Sequence, residues 1–369
     1  MKVVLFCHSL VSDWNHGNAH FLRGVAAELL DRGHGVHVLE PRGAWSRANL
    51  TEAQGREPEE EFARAFPALS STRYELETLD LDAVLDGADL VLVHEWSDPA
   101  LVRRIGEHRS RAGGYRLLFH DTHHRAVTRP EEMARYDLSA YDGVLAFGAV
   151  IRDLYVERGW AERAWTWHEA ADTRVFRPRA GIERERDLVW IGNWGDGERT
   201  RELGEFLLGP ARRLRLTGTI HGVRYPSRAR ARIALTRLRY RGWIANHRAP
   251  EVFARHRLTM HVSRRPYVEQ LPGIPTIRPF EALACGIPLI CSPWEDAEAL
   301  FRPGTDHLVA RDGSEMRRLM REVLHDAALA ASLRDCGLET IRSRHTCAHR
   351  VDELLGVHAE LEVAEVQAR

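Results

Sequence analysis

Two side chains of opposite charge, Arg278 and Glu281, stand three residues apart near the predicted start of a helix. The preceding segment, residues 271–275, contains two prolines and a glycine, which exclude a helix and favour a rigid loop. Thr276 follows as the predicted N-cap, and Ile277 is the first helical residue. Because the first backbone N–H groups of a helix lack partners within it, anions bind there readily. These residues therefore predict a binding site for an anionic ligand.

The carboxylate of Glu281 has two interpretations. If the ligand carries both phosphates and hydroxyls, Arg278 and the helix end would bind a diphosphate, and Glu281 would accept hydrogen bonds from a ribose diol. The structural alternative is that Glu281 interacts favourably with the helix dipole and pairs with Arg278, three residues away. The residues alone leave both interpretations open.

The segment RPFEALACGIPLICSPW, residues 278–294, resembles the nucleotide-sugar site of GT-B glycosyltransferases of group 1. The segment HTCAHRVDELL, residues 345–355, adds a resemblance to the CgeB-like branch of that group. The resemblance implies that Glu281 holds the donor ribose, that the donor is a UDP-linked sugar, and that neither a divalent metal nor another cofactor is required. Many retaining members carry a second Glu where this chain has Gly273, so the donor-sugar contacts and the stereochemical outcome stay open.

Several other residues of the second half are predicted to line the donor site. Most of them follow predicted strands, in turns where backbone N–H groups and arginines can meet phosphate. For Arg199, the alternative is that it lies on the solvated face of a helix. The predicted residues are Gly192, Asn193, Arg199, Trp243, Arg264 and Arg265.

In the first half, His120 and Asp121 follow a predicted buried strand, residues 115–119. We predict His120 as an acid, base or transition-state-stabilising group, with Asp121 fixing its tautomer. His123 and His124 come next, so a metal site is an alternative, although spacing within a loop does not establish one. The metal-independent interpretation is the one we adopt.

A polar loop, residues 8–17, follows the first predicted strand and leads into a helix that starts at Asn18. By resemblance, this loop would face the acceptor and the donor phosphates, which assigns Gly17, Asn18 and the strand-end residue His94 to that region. For Gly17 and Asn18 the alternative is an ordinary helix cap. No G-x-G-x-x-G follows the first strand, which argues against a dinucleotide fold of the common type.

Strands and helices alternate along both halves, which predicts an α/β fold with two doubly wound, Rossmann-like domains facing a cleft. We predict an N-terminal acceptor-side domain at 1–178 and a nucleotide-sugar-binding domain at 179–345. A helix at 346–369 would pack back toward the first domain. The predictions include helices at 198–208 and 227–238 and a strand at 214–217.

Composition narrows the functional classes. The chain has 369 residues and a formal net charge of −1, so a broad nucleic-acid-binding or membrane-binding field is not expected. Lys2 is the only lysine, which leaves phosphate binding to arginine, histidine or backbone and argues against Schiff-base chemistry. Five scattered cysteines favour reduced thiols and a cytoplasmic location. No membrane span is predicted; peripheral membrane contact and oligomeric state are left open.

The sequence therefore predicts a metal-independent glycosyltransferase that uses a nucleoside diphosphate sugar, with an unknown acceptor. One alternative keeps the fold and changes the reaction, to a nucleotide-sugar epimerase. Another is a non-catalytic sugar-nucleotide-binding protein of the envelope or spore, which Gly273 favours. A glycine at that position cannot supply the usual carboxylate.

Overall fold

The computed structural model describes residues 1–368, which form two parallel β-sheets flanked by helices. The strands are β1 (Lys2–Phe6), β2 (Gly35–Pro41), β3 (Thr72–Tyr74), β4 (Leu90–His94), β5 (Arg116–Asp121), β6 (Gly143–Ala146), β7 (Ala164–Thr166), β8 (Arg186–Ile191), β9 (Gly218–His221), β10 (Leu238–Gly242), β11 (His256–His261), β12 (Leu289–Cys291) and β13 (Leu308–Val309). The strand orders are β3-β2-β1-β4-β5-β6-β7 and β10-β9-β8-β11-β12-β13. Both are doubly wound orders that begin in the middle of the sheet, as predicted.

Helices connect the strands. They are α1 (Ala19–Asp31), α2 (Trp45–Gln54), α3 (Glu57–Ala65), α4 (Leu81–Leu85), α5 (Pro99–Ala112), α6 (Arg125–Thr128), α7 (Pro130–Met133), α8 (Ala149–Glu157), α9 (Thr200–Glu202), α10 (Gly209–Leu214), α11 (Ser227–Ala234), α12 (Ala249–Ala254), α13 (Arg265–Glu269), α14 (Ile277–Ala284), α15 (Gly313–His325), α16 (Ala327–Arg344) and α17 (Cys347–Ala368). A π-helix spans Leu203–Leu208, and short 3₁₀ turns occupy Leu76–Thr78 and Asn246–Arg248.

The chain divides into two compact units. The first contains Met1–Glu169 and the chain from Cys347 onward; the second contains Ala170–Thr346. Helix α17 packs on α1 within the first unit. Its place is fixed by a hydrogen bond of 2.8 Å from the Trp167 indole N–H to the Arg350 carbonyl, and by an ion pair between Arg32 and Asp352.

In the second unit, the sheet is buried on both faces. Leu188 and Trp190 of β8 belong to one apolar core, whereas Val189 and Ile191 belong to the other. This alternation follows from the two-residue period of a strand, and it explains why the sequence reads as a continuous apolar run. Helix α14 covers the second core with Phe280 and neighbouring residues.

Three predicted elements of the second unit were wrong in position. The predicted strand 214–217 lies before the real strand β9, because α10 runs through Leu214 and Arg215 ends it with φ +56°. The next strand position is Gly218, whose Cβ would lie 1.9 Å from the Leu188 carbonyl oxygen, so only glycine fits. The helix predicted at 227–238 stops at Ala234. The helix predicted at 198–208 begins at Thr200 and changes to a π-helix.

None of the helices among residues 1–368 combines the length and apolarity needed to span a membrane. All five cysteines are free thiols.

Candidate functional site

Four basic side chains gather near the carboxyl ends of β8 and β11 in the second unit. They are Arg199, Arg264, Arg278 and His261. Burial lowers the pKa of Arg199, and the charges of Arg264 and Arg278 lower it further. Burial, with the charges of Arg199 and Arg278, lowers the pKa of His261 to about 3, so His261 is a neutral imidazole. Carboxyl ends of parallel strands are where ligands bind in open α/β sheets. Arg199, Arg264 and Arg278, which the sequence assigns to the donor site, therefore lie near one another.

Arg199 is the centre of this cluster. Its guanidinium is buried and donates to the carbonyls of Val262 (2.9 Å) and Asn193 (2.6 Å), while its face lies over the Trp190 ring. Burial, and then the charge of Arg264, lowers the pKa of Arg199 to about 9. Among the described residues Arg199 has no ion-pair partner, and its Nε has no hydrogen-bond partner. A buried, uncompensated cation of this kind is unfavourable unless an anion joins it.

Glu281 is completely buried on α14. One carboxylate oxygen accepts a hydrogen bond of 2.7 Å from the Asn246 side chain, and the other is ion-paired with Arg278. The structural alternative stated for this pair, an interaction over three residues of one helix, is therefore present. Asn246 was not predicted as a site residue, because nothing in its local sequence indicates that it lies beside Glu281.

The start of α14 has an unusual backbone. Thr276 occupies the predicted N-cap position, but its side chain makes no capping hydrogen bond and its φ is +61°. A positive φ is uncommon for a β-branched residue, and such strain concentrates at ligand sites. Ile277, the first residue of α14, is buried, so its side chain packs in the protein interior.

Gly273 is fixed in its turn by geometry. Its φ is +88°, and its N–H donates to the Glu295 carbonyl at 2.7 Å. A Cβ at this position would lie 2.8 Å from a carboxylate oxygen of Glu298. A residue with a side chain could not be introduced here without moving Glu298.

The turn after β8 is held by its own backbone contacts. The Gly192 N–H donates to His221, and its carbonyl accepts from Trp190 and Tyr225. The Asn193 side chain accepts from the Val223 N–H at 2.8 Å. Gly192 and Asn193 therefore position the turn and Arg199, and the Gly192 N–H is already used.

The remaining predicted donor residues differ in their setting. Arg264 is partly buried and lies 3.3 Å from a carboxylate oxygen of Glu198. Arg265, the next residue, is exposed; it donates to the Gly197 carbonyl and approaches Glu202 at 3.8 Å. Trp243 is half-buried, directly after β10.

In the first unit, His120 and Asp121 are both buried, but they do not form the predicted pair. The Asp121 carboxylate accepts from the Tyr155 hydroxyl (2.9 Å) and from the His123 N–H (3.0 Å). The His120 Nε2 atom has no hydrogen-bond partner. Neighbouring residues of a strand point to opposite faces of the sheet, so Asp121 cannot fix the tautomer of His120.

Burial shifts the pKa values of both groups. It lowers the pKa of His120 to about 3 and raises that of Asp121 to about 6. His120 is therefore a neutral imidazole near pH 7. It packs between His94 and Trp167, with ring centroids 5.2 and 4.8 Å away.

His94, at the end of β4, is also neutral and buried. Its Nδ1 accepts from the Trp96 N–H at 3.4 Å, which leaves Nε2 to donate to the Thr122 hydroxyl at 3.1 Å. Burial holds the pKa of His94 well below its usual range.

Gly17 and Asn18 lie just before α1, as predicted. The alternative that Asn18 caps the helix is wrong for its side chain, which makes no capping bond and instead donates to Glu169 at 3.3 Å. Gly17 is exposed, and the Asn18 side-chain oxygen is buried without a partner.

The loop between β1 and α1 is held by two buried charges that sequence reasoning missed. Glu40, at the end of β2, accepts from the N–H groups of Leu10 (2.6 Å) and Val11 (3.1 Å). Arg23 of α1 donates to the carbonyls of the same two residues and pairs with Asp13 at 3.0 Å. The available signal was a charged residue inside each of two otherwise apolar segments.

Within residues 1–368, no three or more His, Cys, Asp or Glu side chains are grouped so that they could hold a metal ion. The Asp80-Leu-Asp82 segment, the one D-x-D of the chain, begins α4 with Asp80 as its N-cap.

Residues 199–356 match the family model described as "Glycosyl transferase-like". This segment contains Arg199, Arg264, Arg278 and Glu281. No curated protein sequence matches the chain significantly.

Solved structures resemble the whole chain. HepE from Anabaena, in complex with UDP and glucose, has a TM-score of 0.69 at 14% identity, covering 98% of this chain and 100% of HepE. Sucrose-phosphate synthase from Thermosynechococcus elongatus has a TM-score of 0.65 at 14% identity, covering 99% and 100%. An alpha-glucosyltransferase bound to UDP and a 13-mer DNA has a TM-score of 0.66 at 11% identity, covering 97% and 99%. At these identities the similarity confirms the predicted GT-B fold.

Proposed function

We propose that this protein is a glycosyltransferase that takes its sugar from a nucleoside diphosphate sugar bound by the second unit. The segment that matches the glycosyl transferase-like family model, residues 199–356, contains the basic cluster and Glu281. HepE and the alpha-glucosyltransferase, which share the fold, are both bound to UDP in their solved structures. These similarities favour UDP as the nucleotide.

The observation that carries the proposal is the buried charge of Arg199. It lies with Arg264 and Arg278 near the strand ends, and it has no ion-pair partner among the described residues. A diphosphate would supply the missing negative charge. The same cations would stabilise the charge that develops on the diphosphate as it leaves, without a metal ion.

In the proposed reaction, the acceptor hydroxyl oxygen forms a bond to the anomeric carbon of the donor sugar. The bond between that carbon and the diphosphate oxygen breaks, and the diphosphate leaves with the electron pair. The hydroxyl proton passes to the leaving diphosphate or to solvent. Because the pKa of His120 is about 3, we assign His120 a hydrogen-bonding role and not that of the base.

We propose that Glu281 binds the ribose of the donor. Its carboxylate is held by Asn246 and Arg278, so a ribose diol would replace one of these contacts. Arg278, released from Glu281, would then turn to the diphosphate. The carboxylate and the arginine thus have complementary roles toward one ligand.

Three finer points belong to this proposal. The CgeB-like branch rests on residues 278–294 and 345–355, and metal independence rests on the cationic cluster. The cytoplasmic location rests on the five free thiols. The epimerase and the non-catalytic sugar-nucleotide-binding protein are the competing functions, and turnover distinguishes them.

Calorimetric titration with UDP, GDP and ADP tests the donor site. We expect UDP to bind wild type, and Glu281→Gln to bind it about tenfold or more weakly, because hydrogen bonds to a charged group are worth roughly 1.5–3 kcal/mol. Glu322→Gln, at a partly exposed glutamate of α15 paired with Arg318, is the matched control and should bind as wild type does.

Three results would contradict the proposal. If none of the three nucleotides binds the folded protein, the donor site is wrong. If UDP binds but UDP-sugars release no UDP with any saccharide, lipid or protein acceptor that is supplied, the protein is a binding protein without transferase activity. Conversion of one UDP-sugar into another, without release of UDP, would indicate an epimerase.

A further inference from the structure

Three tryptophans follow three neighbouring strands of the first sheet. Trp14 lies in the loop after β1, Trp45 begins α2 after β2, and Trp96 follows β4. The order β2-β1-β4 makes these strands adjacent, and all are parallel, so their carboxyl ends share one edge. The Trp45 ring centroid lies 6.5 Å from that of Trp14 and 6.1 Å from that of Trp96. All three side chains are half-buried.

Three imidazoles continue this aromatic surface. His8 packs on Trp45 with ring centroids 4.6 Å apart, and His16 follows at 5.4 Å from His8. His94 lies 6.2 Å from His16. Burial lowers the pKa of His8 to about 4 and holds the pKa of the other two well below the usual range. We call these six residues the tryptophan–histidine wall: Trp14, Trp45, Trp96, His8, His16 and His94.

Beside the wall, buried polar atoms lack partners. The His16 Nε2 atom and the Asn18 side-chain oxygen are both buried without a hydrogen bond, and the two residues are only 4% and 8% exposed. Buried polar groups are nearly always paired in folded proteins, so unpaired ones need an explanation. A ligand with hydroxyl groups would supply it.

The charges around the wall are already compensated within the first unit. Arg23 donates to two carbonyls and pairs with Asp13. Arg47 pairs with Glu40 and Glu59. Arg125, which lies over the Trp96 ring, pairs with Glu95. Each of these three arginines is paired with at least one carboxylate, and the imidazoles are neutral, so the wall offers a ligand no free cation.

We infer that the tryptophan–histidine wall binds a neutral, hydroxyl-rich ring, so that the acceptor of the proposed transfer is a saccharide. The apolar C–H face of a sugar ring fits an indole surface, as aromatic side chains at binding sites combine area with rigidity. A hydroxyl both donates and accepts, so it can satisfy His16 and Asn18 together. A sugar phosphate or a nucleic acid would need a free cation, which the compensated charges do not provide.

The inference rests on the proposed function, because it names the acceptor of the same reaction. Its test is separate, because it measures binding by the first unit. Saturation-transfer NMR would use maltose, cellobiose and glucose 6-phosphate as probes, with UDP present, on the full chain. We expect transfer to the ring protons of a neutral disaccharide and none to glucose 6-phosphate.

The variants Trp14→Leu and Trp96→Leu test the wall itself. Each should weaken disaccharide binding about tenfold, because stacking on an aromatic ring is lost. Trp160→Leu is the matched control: it removes a half-buried tryptophan of the same unit that packs on Tyr155 and Arg158, away from the wall. UDP binding by the second unit should be unchanged in all three variants, and a urea-unfolding curve like that of wild type shows that the first unit of each is folded.

The outcomes separate the two proposals. If wild type does not bind UDP, the proposed function is overturned. If UDP binds normally, three results would overturn this inference alone. They are no disaccharide binding, preferred binding of glucose 6-phosphate, and equal disaccharide binding by all tryptophan variants.

Discussion

The two units place opposite chemistry at the same position of the same kind of sheet. At the strand ends of the second unit, Arg199, Arg264 and Arg278 form a cationic cluster. At the strand ends of the first, neutral imidazoles such as His94 and His120 lie among indole rings. Burial acts on both sets: it keeps the histidines uncharged, but it cannot discharge arginine near pH 7. The residue type thus decides whether the shared topology gives a site for an anion or for a neutral ligand.

The largest test of this contrast removes the cation. We expect Arg199→Leu to weaken UDP binding about a hundredfold, because the charge is lost and the turn holding Asn193 loses its bond. Arg199→Lys keeps the charge but cannot donate to both carbonyls as the guanidinium does, so its affinity should be intermediate. Calorimetry gives both values, and Arg201→Ala, at an exposed arginine of α9, is the control. If Arg199→Leu binds UDP as tightly as wild type does, the second unit does not use this cation to bind an anion.

A second test concerns neutrality in the first unit. Burial raises the pKa of Asp121 to about 6, above an unfolded value of about 3.9. Its contribution to stability is therefore fully present below about pH 4 and is lost as the pH rises through about 6. Asn stays uncharged at every pH, so Asp121→Asn should be more stable than wild type at pH 8. The difference in the free energy of unfolding between variant and wild type should be larger at pH 8 than at pH 4, by on the order of 2 kcal/mol.

Urea unfolding at the two pH values measures that difference, with Asp86→Asn, at an exposed aspartate, as the control. A difference that does not change with pH would mean that a cation fully compensates Asp121, and the strand ends of the first unit would then not favour uncharged groups.

The smallest expected effect compares two adjacent arginines. Arg264 is partly buried and couples to Arg199, whereas Arg265 is exposed. Arg264→Ala should weaken UDP binding about tenfold, and Arg265→Ala should change it little, because exposed charges are screened by solvent. Raising the salt concentration should weaken UDP binding and leave disaccharide binding nearly unchanged. If Arg264→Ala and Arg265→Ala weaken UDP binding equally, UDP is attracted by the general positive charge of this surface and not by a defined cluster of arginines.

The sequence by itself determined the local features of this protein. Buried strands such as β4 and helices such as α5 follow from apolar runs and periodicity, which depend only on neighbours along the chain. The Arg278–Glu281 pair is likewise local, since it spans one turn of a helix. The strand predicted at 214–217 was misplaced because Arg215 adopts a positive φ where the preceding helix ends. No pattern in the local sequence predicts that conformation.

Only the tertiary structure decided which distant residues meet. Asn246 reaches Glu281 across 35 residues, and His8, Trp45 and His94 come together from three different strand ends. These meetings depend on the order of strands in the sheet, which periodicity does not encode. The same limit explains why the His120–Asp121 pair was wrong: adjacency in sequence places strand residues on opposite faces of the sheet, where their side chains find different partners.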